Sequence, residues 1–371
     1  MNETDPRCRL LFARYPGLIG KLPWMPLSDL PSPVQQLEKA GAAIGAANLW
    51  MKRDDLNSKI YSGNKPRKFE FLFADARAKG ATAVMTLGSA GSNHGAATTL
   101  FCRHLGFQPW LAVVPQPVLS YVRQNILVNH SLGAKFLFSS NDVFNVLNIL
   151  KFYAGQRMRG EPSPYFMFFG GSAPLGNVGF VEAALEIAAQ VKAGLLPLPR
   201  YIFVTTGSCG THAGLLVGLR LAGLPCEVVG VRIVPKFVTN KPVVALHANL
   251  IVRLLRSLDP SFPRMHFRTS EIRLLDDFYG GQYGRPTPEG KEAIRLLRET
   301  EGLPLDPTYT GKSFAGMTDF IRRLPDRNVP MLYWQTLNAV DLSAQASTAT
   351  PADLPEPLQH YFSEPLYDPE L

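Results

Sequence analysis

The chain has little of what marks zinc proteins, disulfide scaffolds, secreted proteins or membrane proteins. Its four cysteines lie far apart and form no C-x-x-C pair, which argues against a structural metal site and favours a reducing compartment. No apolar run reaches membrane-spanning length, and the one that starts at Leu215 is interrupted by Arg220. The first residues lack the basic and apolar regions of a secretory signal. The sequence therefore predicts a cytoplasmic protein with no metal centre and no membrane segment.

Blocks of like charge are also missing. The formal net charge is +8, but the basic residues are scattered rather than clustered in one run. A nucleic-acid-binding surface needs a basic stripe or patch, so we expect a solvated basic surface and no nucleic-acid partner. With 371 residues, 46% of them hydrophobic, the chain is long enough to form two domains.

Short apolar runs alternate with helical patterns through most of the chain. Between residues 82 and 171, and again between 181 and 233, runs of strand length end in small-residue loops that lead into helices. This rhythm predicts an α/β protein with parallel strands and crossover helices. Ligands bind such open sheets at the carboxyl ends of the strands. Residues 34–39 are expected to form a short helix, and the proline-rich tail after Ser347 an irregular strap.

Residues 61–70 (YSGNKPRKFE) place Lys65 between a Gly-Asn pair and a proline. Pro66 suits the first turn of a helix, and the apolar residues from Phe69 onward recur at helical spacing. Lys65 is therefore predicted at a helix N-terminus, where the helix dipole and an enclosed site both disfavour its charge. A neutral amine there can attack a carbonyl carbon and form a Schiff base. The alternative is a surface lysine at an ordinary helix start.

Residues 206–214 (TGSCGTHAG) form a second distinctive segment, which follows an apolar run of strand length and opens a helix. Its glycines allow backbone N–H groups to converge, its hydroxyls add donors, and the helix dipole favours an anion. The segment lacks the lysine of a P-loop and the glycine spacing of a dinucleotide fingerprint. It is read as a phosphate cradle, with a tight strand-to-helix turn as the alternative.

Ser92, Asn93 and His94 occupy another strand-to-helix turn. A hydroxyl, an amide and an imidazole beside backbone N–H groups suit an amino-acid carboxylate and a polar ring substituent. A hydrolase triad built on Ser92 and His94 is the alternative, although the chain has no G-x-S-x-G motif. Two loops near the C-terminus carry tyrosines, Tyr283 and Tyr309, which either handle protons in a pocket or only pack.

Together these motifs resemble the pyridoxal-phosphate enzymes of the tryptophan-synthase β fold, and among them the branch of D-cysteine desulfhydrase and aminocyclopropane-carboxylate deaminase. The resemblance runs from about Leu30 to Asn338. It is carried by five motifs in the family's order, at residues 52–55, 62–68, 91–94, 206–214 and 305–312. It implies two open, twisted parallel-sheet domains with the cofactor in the cleft between them. The larger domain would comprise residues 1–67 and 172–371, and the smaller, inserted domain residues 68–171.

The resemblance also implies roles for individual residues. Lys65 matches the Schiff-base lysine that holds pyridoxal 5'-phosphate, and Asn64 and Asn93 match polar neighbours of the cofactor. Residues matching the substrate-facing turn are Ser92, Asn93 and His94. Residues matching the phosphate cradle are Gly207, Ser208, Cys209, Gly210 and Thr211. Thr336 matches the partner of the pyridine nitrogen, and the catalytic group would comprise Lys65, Ser92, Tyr283 and Tyr309.

The substrate that the resemblance implies is a small amino acid. Thr310 and His94 follow the desulfhydrase branch, where the deaminase branch carries Glu and Gln. The implied reaction is β-elimination from D-cysteine to pyruvate, ammonia and hydrogen sulfide, in a homodimer. Residues 335–338 (QTLN) depart from the His-Thr-Gly-Gly of the desulfhydrases, and Cys209 replaces a glycine or serine. Cyclopropane ring opening, a non-catalytic protein that binds the cofactor, and a nicotinamide enzyme are the alternatives.

Overall fold

The structure is a computed structural model that describes residues 5–368, in which strands and helices alternate along most of the chain. The strands are β1 (Val34–Gln36), β2 (Leu49–Arg53), β3 (Ala83–Ser89), β4 (Gln108–Val114), β5 (Lys135–Phe138), β6 (Tyr165–Met167), β7 (Tyr201–Thr206), β8 (Glu227–Arg232), β9 (Arg273–Leu275) and β10 (Met331–Gln335). The helices are α1 (Leu10–Arg14), α2 (Glu38–Ile44), α3 (Asn64–Ala78), α4 (Asn93–Leu105), α5 (Ser120–Ser131), α6 (Asp142–Arg159), α7 (Pro174–Lys192), α8 (Gly210–Ala222), α9 (Lys241–Leu258), α10 (Pro288–Glu301), α11 (Thr310–Arg322), α12 (Ser343–Ala346) and α13 (Glu356–Ser363). The predicted strand–helix alternation is confirmed.

The larger of two compact units consists of Met1–Phe73, as far as it is described, and Ser172–Ala339. Its six-stranded sheet has the order β1-β2-β10-β7-β8-β9, and every neighbouring pair is parallel except β1 with β2. Strand β10 is buried along its whole length, as expected of a parallel strand that is covered on both faces. The helix predicted over residues 34–39 is wrong, because β1 pairs with β2 and α2 begins only at Glu38.

Helices α7 and α8 pack closely against each other on one face of this sheet. A Cβ atom added to Gly214 would lie 2.5 Å from the Cβ of Phe180, and one added to Gly218 would lie 2.5 Å from the carbonyl oxygen of Val181. The two glycines therefore allow the helix backbones to approach closely. Beneath them, Phe180 packs edge-on against Trp334 of β10, with ring centroids 5.9 Å apart.

The smaller unit consists of Ala74–Gly171 together with the described part of Val340–Leu371. Its four strands are all parallel, in the order β5-β4-β3-β6. From the sequence, residues 340–371 are expected in the larger domain, with the tail after Ser347 as an irregular strap. In the structure the described part of this segment, residues 340–368, contains α12 and α13 and packs in the smaller unit. The cause is burial, because Leu354, Leu358 and Tyr361 join the cluster that contains Val118 and Val122.

No helix of residues 5–368 is both long enough and apolar enough to cross a membrane.

Candidate active site

The loop that leads into α3 carries Lys65. A single 3-10 turn (Asp54–Leu56) follows β2, and α3 begins at Asn64, so Lys65 lies in the first helical turn as predicted. Gly63, just before the helix, has φ of +88°, and a Cβ atom there would overlap the backbone carbonyl of Thr336. The left-handed conformation and the lack of space both require glycine at this position.

The amine of Lys65 is partly buried and donates a hydrogen bond to Asn64 Oδ1 at 2.6 Å. Burial lowers the pKa of Lys65 to about 8, against the opposing influence of the Asp306 carboxylate. The cause is desolvation, which penalises the charged ammonium more than the neutral amine. Near neutral pH, Lys65 therefore presents a far larger fraction of nucleophilic amine than an exposed lysine does.

A buried ionic network lies behind Lys65. Arg67 donates to Asp54 Oδ1 at 2.7 Å and to Glu186 Oε2 at 2.9 Å, and Lys52 also pairs with Glu186. The indole N–H of Trp334 donates to Asp54 Oδ2 at 2.7 Å. The network thus joins the first turn of α3 to residues on or next to β2, β10 and α7. Sequence reasoning missed it, although charged residues within or beside apolar strands, such as Lys52, were a signal.

The glycine-rich loop runs from the end of β7 to the start of α8. Cys209 precedes the helix in a left-handed conformation, with φ of 64°. The hydroxyls of Ser208 and Ser172 share a hydrogen bond of 2.6 Å, and the Thr239 hydroxyl donates to the carbonyl of Gly207. The first turn of α8 has N–H groups without intrahelical partners, beside the hydroxyl-rich loop. This arrangement suits an anion.

Lys68 adds a buried amine beside this loop. Its Nζ donates to Ser172 Oγ at 3.0 Å, and Ser172 in turn contacts Ser208 of the loop. Burial lowers the pKa of Lys68 well below its usual value. A bound anion would stabilise the charged form of such a lysine, so these residues fit a phosphate group. Sequence reasoning missed this role; the available signal was a basic residue three positions after Lys65, on the same helix.

The two predicted tyrosines are neighbours in the larger unit. Tyr283 and Tyr309 share a hydrogen bond between their hydroxyls, and their rings lie edge-to-face with centroids 6.1 Å apart. The carboxylate of Asp306 fixes the second tyrosine, because it accepts hydrogen bonds from the backbone N–H groups of residues 308–310 at 2.6–3.1 Å. A paired hydroxyl can pass a proton to its neighbour, which suits proton transfer.

Thr336 follows directly after β10. Strands β2, β10 and β7 are parallel neighbours, so the residues after their carboxyl ends collect at one edge of the sheet. Thr336, the glycine-rich loop and the Lys65 loop all follow these strands. The structure thus gathers three of the predicted site segments within the larger unit.

The predicted substrate-facing turn belongs to the smaller unit, at the carboxyl end of β3. Ser92 caps α4, with its hydroxyl accepting from the Gly95 N–H at 3.1 Å. Asn93 Oδ1 accepts from Asn125 at 3.0 Å. The His94 imidazole is buried, with Nε2 hydrogen-bonded to the Thr86 hydroxyl at 2.9 Å. The substrate-binding roles of these residues stay predictions.

Comparison with known proteins decides the family. The model of the pyridoxal-phosphate dependent enzymes matches residues 26–329. The chain belongs to this family. A D-cysteine desulfhydrase from Salmonella newport (strain SL254) is 34% identical to this enzyme over 336 residues, which cover 88% of this chain and 97% of that protein.

Solved structures agree on the fold of the enzyme. An ACC deaminase homologue superimposes with a TM-score of 0.75 and 30% identity, and the match covers 93% of this chain and 100% of that one. The processed form of threonine deaminase isoform 2 from Solanum lycopersicum superimposes with a TM-score of 0.57 at 14% identity, over 91% and 85% of the two chains. The latter likeness shows the fold alone.

The predicted family, fold class and cofactor are therefore confirmed: this is a pyridoxal-phosphate dependent α/β enzyme with the tryptophan-synthase β-like fold. Its residues fit the cofactor, since an amine with a lowered pKa and an anion cradle occur at the same sheet edge. The roles of single residues stay predictions and are taken up below as proposals.

Proposed function

We propose that the enzyme catalyses β-elimination from a small amino acid, with D-cysteine as the substrate. The observation that carries the proposal is Lys65, an amine with a pKa near 8 at the sheet edge that also holds the anion cradle. The 34% identity to a D-cysteine desulfhydrase supports the choice of substrate. The reaction consumes one water molecule and releases pyruvate, ammonia and hydrogen sulfide.

Each part of the site has a task in this proposal. When bound, pyridoxal phosphate supplies an electrophilic carbon and a ring that accepts the electrons released at the substrate α-carbon. Lys65 Nζ holds the cofactor and, when free, takes the α-proton of the substrate. The loop at residues 207–211 and Lys68 bind the phosphate. Thr336 would be a neutral partner for the pyridine nitrogen of the bound cofactor, and a neutral partner would leave the ring a weaker electron sink than an acidic one, which would favour prompt elimination.

The tyrosine pair supplies protons to the other half of the reaction. The leaving sulfur needs a proton, and the hydroxyl of Tyr283 or Tyr309 can donate one while the other hydroxyl donates to it in turn. Asn64, which accepts from the Lys65 amine, orients that amine. The roles of Ser92, Asn93 and His94 rest on the resemblance alone.

The first test is turnover of D-cysteine, measured as pyruvate and hydrogen sulfide. Lys65→Ala should lower kcat by at least about a thousandfold, because it removes both the amine that holds the cofactor and the base. Lys79→Ala, which removes an exposed lysine just after the same helix, is the matched control and should leave turnover unchanged. Full activity of Lys65→Ala would contradict the whole proposal.

Ring opening of aminocyclopropane-carboxylate is a second candidate, because the ACC deaminase homologue is 30% identical and superimposes well. Ammonia release from the cyclopropane acid, assayed beside D-cysteine, separates the two reactions. A protein that only binds the cofactor would show its absorbance and no turnover with any D- or L-amino acid.

We further propose a cytoplasmic homodimer whose subunits meet through helix α6. Val143, Phe144, Leu147 and Leu150 are 44–70% exposed on this helix. An apolar helix face of this kind is unusual on a monomer and supports contact with a second copy. The scattered cysteines support a reducing compartment.

A further inference from the structure

Asn338 stands where the desulfhydrase pattern has its second glycine, and its side chain is engaged. Asn338 Oδ1 accepts two hydrogen bonds from Ser62, one from the backbone N–H at 2.8 Å and one from the hydroxyl at 3.1 Å. The Ser62 hydroxyl in turn accepts from the backbone N–H of Ala339 at 2.9 Å. Ser62 is fully buried, so these groups have no water to replace a lost partner.

The contact joins two segments that already touch. Gly63 lies against the carbonyl groups of Thr336 and Leu337, and a Cβ atom would overlap the first of these. On its other side, the Gly63 N–H donates to the Asp54 carbonyl at 2.7 Å, and its carbonyl accepts from the Asn57 amide at 2.8 Å. Asn338 adds the attachment one residue earlier, so that the backbone just before Lys65 is held from both sides.

We propose that Asn338 is a positioning residue that clamps the Ser62–Gly63 backbone and thereby fixes Lys65 at the sheet edge. Glycine at this position could make neither of the two side-chain contacts. The inference rests on the proposed role of Lys65 as the reacting amine.

The test compares backbone hydrogen exchange in the full-length enzyme with its cofactor bound. Asn338→Ala should accelerate exchange in a peptide covering residues 60–66 by about tenfold, because the buried N–H of Ser62 loses its acceptor. Asn338→Asp keeps an oxygen acceptor in the same place and should restore slow exchange. Asn249→Ala is the matched control, since Asn249 also accepts from a backbone N–H, that of Phe267 at 2.9 Å, at a distant position of the same unit.

Kinetics supply a second measurement. A displaced Lys65 should lower kcat by about tenfold while KM changes less, because the clamp holds the reacting amine and not the substrate. Asn338→Asp should recover most of this loss. If Asn338→Ala fails to fold, Ser62→Ala takes its place. That variant removes the two contacts of the hydroxyl, keeps the N–H contact, and should give a smaller acceleration of exchange.

The two proposals fail in different ways. Unchanged exchange at residues 60–66 in Asn338→Ala, or equally fast exchange in Asn338→Asp, overturns the clamp. If the enzyme does not turn over D-cysteine, the proposed reaction is wrong. The clamp can still be tested in that case, because hydrogen exchange is measured without substrate.

Discussion

Two properties give Lys65 its chemistry: its place at a helix start and its lowered pKa. The first is determined by neighbouring residues and the second by residues far away in the sequence. Its place in the first turn of α3 follows from its neighbours, Gly63 and Pro66, and is visible in the sequence. Its lowered pKa comes mainly from burial, which depends on segments far along the chain. The helix start was predictable, whereas the degree of enclosure was not.

The lowered pKa predicts how turnover depends on pH. Below about pH 8 the Lys65 amine is mostly protonated and cannot accept a proton, so kcat should rise with pH and level off above about pH 9. Measuring initial rates with D-cysteine from about pH 6 to about pH 11.5 locates the midpoint. A midpoint near the ordinary lysine value, 10.5, would contradict the assignment.

A second lysine provides the control for this profile. Burial also lowers the pKa of Lys312 to about 8, and its ammonium donates to the Tyr279 carbonyl at 2.7 Å. If Lys65 sets the midpoint, Lys312→Met should keep the midpoint even where it lowers the rate. A midpoint that moves in this variant would assign the titration to Lys312.

Local sequence patterns predicted those site residues that directly follow a strand or begin a helix. The glycine-rich loop at 207–211 is of this kind, because strand, glycines and helix follow one another in the sequence. Lys68 and Asn338 were missed as contributors because their partners, Ser172 and Ser62, lie more than a hundred residues away. Only the folded chain brings such pairs together.

At the scale of elements, α3 is anchored by charge as well as by apolar packing. Arg67 leaves the first turn of α3 and meets Asp54 after β2 and Glu186 on α7, all of them buried. Buried ions are costly unless they are paired, so each partner stabilises the others. The network holds the helix that carries Lys65 in a fixed place on the sheet.

Removing one partner should therefore be costly. Glu186→Gln should lower the free energy of unfolding at pH 7 by about 3 kcal/mol, because it leaves buried cations with fewer counter-charges. Urea unfolding followed by circular dichroism measures the change. Glu271→Gln is the matched control, since Glu271 forms an exposed pair with Arg220 and should cost less than about 1 kcal/mol.

The loss of unfolding free energy in Glu186→Gln should also depend on pH. Burial alone would raise the pKa of Glu186, but Arg67 and Lys52 lower it to about 2. A carboxylate with a lowered pKa stabilises the fold above its ordinary value of 4.5, and this stabilisation is lost as the pH falls toward 2. The difference between wild type and Glu186→Gln should thus shrink between pH 7 and pH 3. An unchanged difference would show that Glu186 acts through packing and not through its charge.

At the scale of the whole molecule, the alternating pattern predicted parallel strands with crossover helices, and the family resemblance implied their division into two sheets. Two features at the ends of the chain were not predicted. Strand β1 pairs antiparallel at the sheet edge, and α13 is held by Tyr361 and its neighbours in the smaller unit. Both features depend on packing against residues far away in the sequence. In addition, the prolines of the tail predicted irregular structure where the structure has the helix α13.

The exposed face of α6 leads to a prediction about assembly. The chain has a mass of 40.9 kDa, so a homodimer has twice this mass, about 82 kDa. Leu150→Glu places a charge in the apolar face and should shift the species seen by size-exclusion chromatography with light scattering from dimer to monomer. Leu246→Glu, at a residue exposed on α9, is the control and should stay dimeric. A wild-type monomer would contradict the proposed assembly.

The strand order has a consequence for the time course of synthesis. Met331 of β10 pairs with Leu49 of β2, so the centre of the larger sheet stays open until nearly the whole chain has left the ribosome. At about 5–20 residues per second, the Lys65 loop waits on the order of ten seconds or more for the strand beside it. The four strands of the smaller sheet all emerge within residues 83–167 and can pair during that wait. In the nascent chain Lys65 is therefore an exposed lysine of ordinary pKa, and burial lowers its pKa only once β10 has joined the sheet.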